Sequence, residues 1–165
     1  PEFEQAENQV KATLEKLLKS NGDIPVDDFH RKLGLIMWEY CGMSRSEEGL
    51  KKAIGLIKKL REEFHSTLYV PGTLNEFNPE LEKAYRVADF LELGELMCID
   101  ALNRKESCGG HFREESQTDE GEALRDDENY TYVSAWEYKG DPSDSMLHKE
   151  PLKYENIEVK QRSYK

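Results

Sequence analysis

The residues best suited to chemistry stand together in residues 104–115, which read RKESCGGHFREE. This segment combines a serine, a thiol and an imidazole, at Ser107, Cys108 and His111. Cys108 and His111 form a C-x-x-H pair, half of a zinc site, but the sequence has no second Cys/His pair to complete it. Cys108 could instead be a nucleophile with His111 as its base, which would make the chain a small Cys–His enzyme.

A third functional interpretation is a phosphate-binding loop, and the simplest one is an ordinary helix end. Gly109-Gly110 lacks the glycine spacing and the preceding strand of a phosphate-binding loop. The residues alone favour a helix C-terminus with glycine in the left-handed conformation and charged side chains paired with whatever packs there. No P-loop, dinucleotide fingerprint, metalloprotease or nucleophile-elbow pattern occurs. We therefore predict no catalytic, cofactor-binding or metal-binding residue in this chain.

Two further features have alternative interpretations. Arg45 precedes an acidic helix start, where a cation is unfavourable, so it is either an exposed side chain or part of a salt bridge to a partner. A series of aromatic residues near the C-terminus could stack on nucleic-acid bases or pack on the protein surface. The acidity around them favours surface packing. These aromatic residues are Tyr130, Tyr132, Trp136, Tyr138, Tyr154 and Tyr164.

Composition excludes several classes of protein. The 165 residues include 34 acidic and 23 basic side chains, for a net charge of −11, which argues against nucleic acid as a partner. The sequence has neither a signal peptide nor an apolar run of the roughly 18 residues that a membrane span requires. Three cysteines without a CxxC pair indicate a reducing, cytosolic compartment. Because the chain opens on Pro1, we expect a processed chain or a piece of a longer protein.

The apolar periodicity predicts four helices, over residues 2–20, 25–40, 44–64 and 79–106. Ser44 and Glu47 have the spacing of a capping box for the third helix, and Asn78-Pro79 is a helix start. The fourth helix is apolar almost all round, which is typical of a central helix with neighbours on several sides.

The pattern changes after Ser107. Residues 109–129 are acidic and glycine-containing, so we predict irregular backbone there. Alternation over residues 130–138 predicts a strand, and a weaker extended run follows around residues 154–160. We expect one mainly α domain, with a helical bundle over 1–107 and a loop and β-ribbon extension over 108–165 packed on it.

Three segments, in order, resemble one flavoprotein superfamily. Residues 35–50, LIMWEYCGMSRSEEGL, resemble the signature lgxxMWexxGxxRxxegL of succinate dehydrogenase, fumarate reductase and L-aspartate oxidase. Residues 75–113 and the RDDE at 125–128 resemble a later part of the same region. The ending VKQRSY at 159–164 is similar to that of the succinate dehydrogenase branch. The resemblance covers nearly the whole chain and is weakest in residues 1–24.

The resemblance implies the C-terminal helical domain of such a flavoprotein subunit, an antiparallel, spectrin-like bundle of three main helices with a C-terminal extension. It implies that the full subunit binds FAD and exchanges hydride between flavin and succinate or fumarate, through residues upstream of this domain. The implied partners are the FAD-binding and capping domains of the same subunit, the iron–sulfur subunit and, indirectly, a membrane-anchoring cytochrome b. The implied location is cytoplasmic, at the inner face of the membrane.

The resemblance also singles out individual residues. Cys108, Gly110 and Glu115 depart from common family residues, which indicates a distinct bacterial branch. We expect the matching residues to lie where this domain packs on the FAD-binding and capping domains, leaving the domain itself catalytically inert. The alternative is a stand-alone acidic helical module for protein–protein interaction. The matching residues are Arg45, Glu106, Ser107, Gly109, His111 and Arg113.

Overall fold

The computed structural model describes residues 1–161 and residue 163. Within these residues, five helices and two pairs of short strands make up the fold, which confirms the predicted mainly α class with a C-terminal β-ribbon. Tyr164 and most of the RSY ending lie outside the described residues. The elements are α1 (Glu2–Leu18), β1 (Ile24–Pro25), α2 (Val26–Tyr40), α3 (Glu47–Thr67), β2 (Leu68–Tyr69), α4 (Pro79–Asn103), α5 (Asp127–Tyr130), β3 (Tyr132–Glu137), a 3₁₀ turn (Pro142–Asp144) and β4 (Met146–Pro151).

Helices α2, α3 and α4 form the bundle. Phe29, near the start of α2, meets Phe64, near the end of α3, edge to face with ring centroids 5.2 Å apart, so these two helices run antiparallel. Helix α4 also runs antiparallel to α3, and so is parallel to α2. Burying each large apolar side chain of this core stabilises the fold by about 1.5–3 kcal/mol. The buried core includes Phe29, Leu33, Leu50, Ile57, Leu60, Phe64, Leu81, Val87, Leu91 and Cys98.

Gly94 lets α4 approach α2 closely. A β-carbon at this position would lie 3.2 Å from Leu33 Cδ1 and 3.4 Å from Met37 Sδ, both on α2. Glycine costs a helix roughly 1 kcal/mol relative to alanine. The close approach of the two helices explains why glycine stands there.

Helix α4 is the central helix, as predicted, but one of its faces is open. It packs against α1, α2, α3 and the 3₁₀ turn. Its open face carries Phe90, Leu93 and Met97, which are 41%, 52% and 47% exposed. The apolar pattern therefore reflects both the core and an uncovered surface.

Several predicted boundaries are wrong. Ser46, and not Ser44, caps α3, because its Oγ accepts a hydrogen bond from Gly49 N at 3.1 Å. Ser44 instead donates to Glu114 Oε1 at 2.8 Å. Helix α4 ends at Asn103 rather than at residue 106, because Arg104 has an extended backbone.

The second strand of the ribbon lies earlier than predicted. Residues 146–151 pair antiparallel with residues 132–137, whereas residues 154–160 form no strand. Gly140, at φ +102°, and the 3₁₀ turn reverse the chain between the two strands. Pairing with the segment just after this reversal closes a short loop, which costs less entropy than a longer one.

Candidate functional site

Arg113 lies under the C-terminus of α4. Its side chain is 2% exposed, and its Nη1 donates to the carbonyl oxygens of Ala101 at 3.0 Å and Leu102 at 3.3 Å. The last carbonyls of a helix have no partner within the helix and carry partial negative charge. The guanidinium therefore completes the end of α4 and joins it to the chain that follows.

Ser107 fixes the backbone of Arg113. Its Oγ accepts from Arg113 N at 2.8 Å and donates to Arg113 O at 3.2 Å. Between them, Cys108 and His111 exchange two backbone hydrogen bonds across a two-residue turn, with Gly109 at φ +60°. Glycine at the first central position is typical of this tight turn. The turn returns the chain so that Arg113 reaches the helix end.

His111 holds two hydrogen bonds through its ring. Arg45 Nη1 donates to Nδ1 at 2.9 Å, and Nε2 donates to the carbonyl oxygen of Arg104, also at 2.9 Å. Arginine has only donors, so Nδ1 must be the acceptor and the ring is neutral. Burial lowers the pKa of His111, and the charges of Arg45 and Arg113 lower it further, although the bond to Arg104 O opposes them.

The geometry of His111 bears on the enzymatic and metal hypotheses. Both of its ring nitrogens have partners, so neither is free to act as the base for the exposed Cys108. Over residues 1–161 and residue 163, no group of three or more His, Cys, Asp or Glu side chains is placed to hold a metal ion. In the same residues, no helix is long and apolar enough to cross a membrane.

Arg45 joins the site from the α2–α3 connection, at the same end of the bundle as the C-terminus of α4. Its backbone N donates to Phe112 O at 3.1 Å, and its O accepts from Glu114 N at 2.9 Å. Its Nε donates to Gly42 O at 3.0 Å. Arg45 is not a free surface side chain, because it is half-buried and bridges the α2–α3 connection to the motif within this chain. That it also faces a partner stays a prediction.

Glu106 and Arg104 connect the motif to the ribbon. Glu106 Oε1 accepts from Arg104 Nη1 at 2.8 Å, and its Oε2 accepts from Asp126 N at 3.0 Å. Arg104 also donates to the carbonyl oxygens of Tyr130 and Tyr132 and lies 4.8 Å from the Tyr132 ring centroid. These two tyrosines thus pack within the protein.

Sequence reasoning missed the roles of two residues of this network, and only one of them has a weak signal in the sequence. Arg104 joins α4 to the ribbon through its bonds to Tyr130 and Tyr132. The weak signal for this role is its position, as a cation directly after a buried helix. Glu115 Oε1 accepts from Glu47 N at 2.6 Å and so completes the start of α3. An acidic residue 68 positions away along the chain has no local pattern that would reveal this partner.

The structure brings all six motif residues into one region. Glu106, Ser107 and Arg113 are buried, Arg45 and His111 are partly exposed, and Gly109 is exposed. Beside them is a cleft of about 360 Å³ between the motif and the ribbon. Its lining includes Arg45, Arg104, His111, Arg125, Tyr130 and Tyr154.

Comparisons with known proteins agree on one family. The family described as "Fumarate reductase flavoprotein C-term" matches residues 30–164. The fumarate reductase flavoprotein subunit of Escherichia coli is 32% identical over 121 residues, which are 73% of this chain and 19% of that protein. An uncharacterized FAD-dependent oxidoreductase of Methanocaldococcus jannaschii is 31% identical over 110 residues, 67% of this chain and 19% of that protein.

A solved structure shows the same fold. A quinol fumarate reductase chain of Escherichia coli superposes with a TM-score of 0.80 at 26% identity, over 96% of this chain and 26% of that one. This chain therefore spans about a fifth of the length of the curated relatives that it matches. Since the family match covers most of the chain, the chain belongs to the family of C-terminal domains of fumarate reductase and succinate dehydrogenase flavoprotein subunits.

Proposed function

We propose that this chain is the C-terminal part of a flavoprotein subunit that interconverts succinate and fumarate. FAD and the substrate would bind to the part of the subunit that precedes this domain. The observation that carries the proposal is the family match over residues 30–164, joined to a motif whose residues meet at one end of the bundle. The domain itself would have a structural and docking role.

The motif gives this role a physical basis. The side chains of Glu106, Ser107 and Arg113 make hydrogen bonds within the chain, so they fix the shape of the surface around them. The exposed part of the motif consists of the tight turn at Gly109 and the partly exposed Arg45 and His111. We infer that the FAD-binding and capping domains of the same subunit pack on this face.

Exposed apolar side chains precede the motif's Arg45 in the sequence. Trp38 and Met43 are 82% and 88% exposed, and Leu35 is 69% exposed. Large apolar residues left open in this way mark interaction surfaces when they form a patch. We propose that this end of α2 belongs to the same docking surface.

The wider assembly follows from the proposed parent. The subunit would bind an iron–sulfur subunit and, through it, a cytochrome b in the membrane, at the cytoplasmic face. Nucleic acid is not an expected partner. The division into a bundle over residues 1–107 and an extension from residue 108 is part of the same proposal. It is supported by the bond from Trp136 Nε1 of the ribbon to Asp100 of α4, at 2.7 Å.

The test uses the uninterrupted reading frame that encodes this chain. The encoded protein is purified and its flavin absorbance is measured. Its activity is measured as the rate at which it oxidises a reduced viologen dye when fumarate is added. We expect a yellow, active protein and, for the 165 residues alone, a colourless and inactive one. A start codon near Pro1, or a full-length protein without fumarate-dependent turnover, would contradict the proposed activity.

A paired substitution tests the docking surface separately. In the full subunit, Trp38→Ala with Met43→Ala should lower flavin content and turnover about thirtyfold, because a hot-spot aromatic contributes about 2 kcal/mol. The matched control is Phe3→Ala with Phe77→Ala, which removes side chains that are 89% and 90% exposed. Equal flavin content in both variants would remove the α2 face from the interface and leave the proposed activity standing.

A further inference from the structure

The cleft between the motif and the ribbon has two salt bridges in its lining. Glu106 Oε1 accepts from Arg104 Nη1 at 2.8 Å, and Asp127 accepts from Arg125 Nη2. These pairs neutralise two of the three guanidinium groups that line the cleft. The remaining guanidinium therefore decides what the cleft can bind.

Arg45 is that remaining guanidinium, and it forms no ion pair with a described residue. Its Nε donates to Gly42 O at 3.0 Å and its Nη1 to His111 Nδ1 at 2.9 Å, which leaves Nη2 without a partner in that part of the chain. Asp100, the third acidic residue of the lining, accepts from Trp136 Nε1 at 2.7 Å. Arg45 thus supplies the cleft with a cationic donor group.

Two buried donors of the lining also lack partners within residues 1–161 and residue 163. Tyr132 is 8% exposed, and its buried hydroxyl makes no hydrogen bond there. The same holds for Arg125 Nε. Buried polar atoms are nearly always hydrogen-bonded, so unpaired donors around one cleft indicate an acceptor from outside the chain.

We propose that this cleft binds a small oxyanion, a carboxylate or a phosphate, which accepts hydrogen bonds from Arg45 and from the Tyr132 hydroxyl. Guanidinium groups bind both kinds of oxyanion through paired N–H donors. The cleft, at about 360 Å³, has room for one such group. Because it lies beside the proposed docking face, the oxyanion is either a free ion or a carboxylate from the rest of the subunit.

The electrostatic potential at the motif side of the cleft supports an anionic ligand. Burial lowers the pKa of His111, and the charges of Arg45, Arg113 and Arg104 lower it further, although the bond to Arg104 O opposes them. The charges that act on this ring are thus guanidinium groups, and the local potential is positive. The net charge of the whole chain, −11, would give the opposite sign.

Cys108 provides a test in the 165-residue chain, because it is exposed and lines the cleft. Its labelling rates with an anionic sulfonate and a cationic trimethylammonium methanethiosulfonate are measured, each relative to the rate with 2-mercaptoethanol. We expect the anionic reagent to be favoured about fivefold, whereas the net charge alone would favour the cationic one. Inorganic phosphate or succinate should slow the labelling in a saturable way, compared with chloride at the same ionic strength.

Variants make the outcome specific. Tyr132→Phe removes only the unpaired hydroxyl and should weaken phosphate binding about tenfold, with unchanged helical circular dichroism. Arg45→Gln should abolish the protection by phosphate. Lys105→Gln, which removes a charge beside the motif but outside the lining, is the matched control. A preference for the cationic reagent, phosphate that protects no better than chloride, or an unchanged phosphate affinity in Tyr132→Phe would each overturn the proposal.

The full subunit identifies the source of the oxyanion. Labelling of Cys108 that added phosphate slows there indicates a free ion, whereas labelling that is already slow and insensitive to phosphate indicates a carboxylate of the subunit. The readout on the 165-residue chain involves neither flavin nor turnover, so its failure is distinct from failure of the proposed function.

Discussion

At the scale of single residues, His111 shows how two hydrogen bonds decide a protonation state. Arg45 can only donate to Nδ1, and the Arg104 carbonyl can only accept from Nε2. A second proton on the ring would face the Arg45 guanidinium, so the structure favours the neutral form. The ring joins the α2–α3 connection to the end of α4. The free energy of unfolding should therefore depend on the protonation state of His111.

His111→Gln tests this role. Because the pKa of His111 is lowered in the folded chain, the unfolded chain takes up the proton first as pH falls below about 6.5. The contribution of His111 is therefore complete above that pH and declines as pH falls toward the folded pKa. Urea unfolding should show a loss of about 1–3 kcal/mol in the variant at neutral pH.

The difference between wild type and variant isolates His111 from the other titrating groups. The difference in unfolding free energy should be smaller near pH 5.5 than near pH 7.5, because only the wild type loses the contribution of His111 as the pH falls. Burial also lowers the pKa of His65, but both chains contain His65, so its effect cancels. A gap that stays constant, or that grows as the pH falls, would mean that the folded chain accepts the proton on His111.

At the scale of elements, a buried ionic network fastens the extension to the bundle. Glu95 of α4 is 0% exposed, and its Oε2 lies 3.2 Å from Arg61 Nη1. Arg61 also binds Asp141 at 2.6 Å, and Ser143 Oγ donates to Glu95 Oε1 at 3.0 Å. A buried carboxylate requires such partners, because an unpaired charge in the core costs several kcal/mol. The 3₁₀ turn of the extension supplies one of them.

Removing the contacts from the extension side should open it locally. We expect Asp141→Ala with Ser143→Ala to speed tryptic cleavage at Lys139 and Lys149 about tenfold, for a loss of about 1–2 kcal/mol in local opening. Helical circular dichroism should stay unchanged. Asp144→Ala, in the same turn, is the matched control. Equal cleavage rates in both variants would show that other contacts hold the extension.

The sequence was sufficient for the helices of the bundle, because their apolar periodicity is set by one-sided burial. It was insufficient where a partner lies far along the chain. At the start of α3, Ser44 is bonded to Glu114 and Glu47 N to Glu115, and the end of α4 is bonded to Arg113. The second strand was misplaced because residues 146–151, MLHKEP, have no alternating pattern, and their pairing follows from the chain reversal before them.

At the scale of the whole molecule, stability is concentrated in α2, α3 and α4. Helix α1 is peripheral: within the described chain it buries Leu17 and leaves Phe3 and Val10 89% and 47% exposed. Its remaining core contacts come from Leu14 and Leu18. The first turns of α1 therefore add little to the core.

Deleting residues 1–12 should leave the fold intact. We expect one cooperative urea transition and a free energy of unfolding within about 1 kcal/mol of the full chain, because the contacts at residues 14–18 remain. The measurement compares midpoint and slope for the two chains. A lower slope or a second transition would show that α1 is an integral part of the cooperative unit.

The bridge between Arg45 and residues 112–114 also has a consequence for the order of events during synthesis. Its two halves are about 70 residues apart, and they meet only after α3 and α4 lie between them. A chain still attached to the ribosome can form the helices first, while the carbonyls at the end of α4 await Arg113. The face that we propose as a docking surface would then be the last part of the domain to form, and any packing of other domains on it would be delayed until the bundle beneath it is complete.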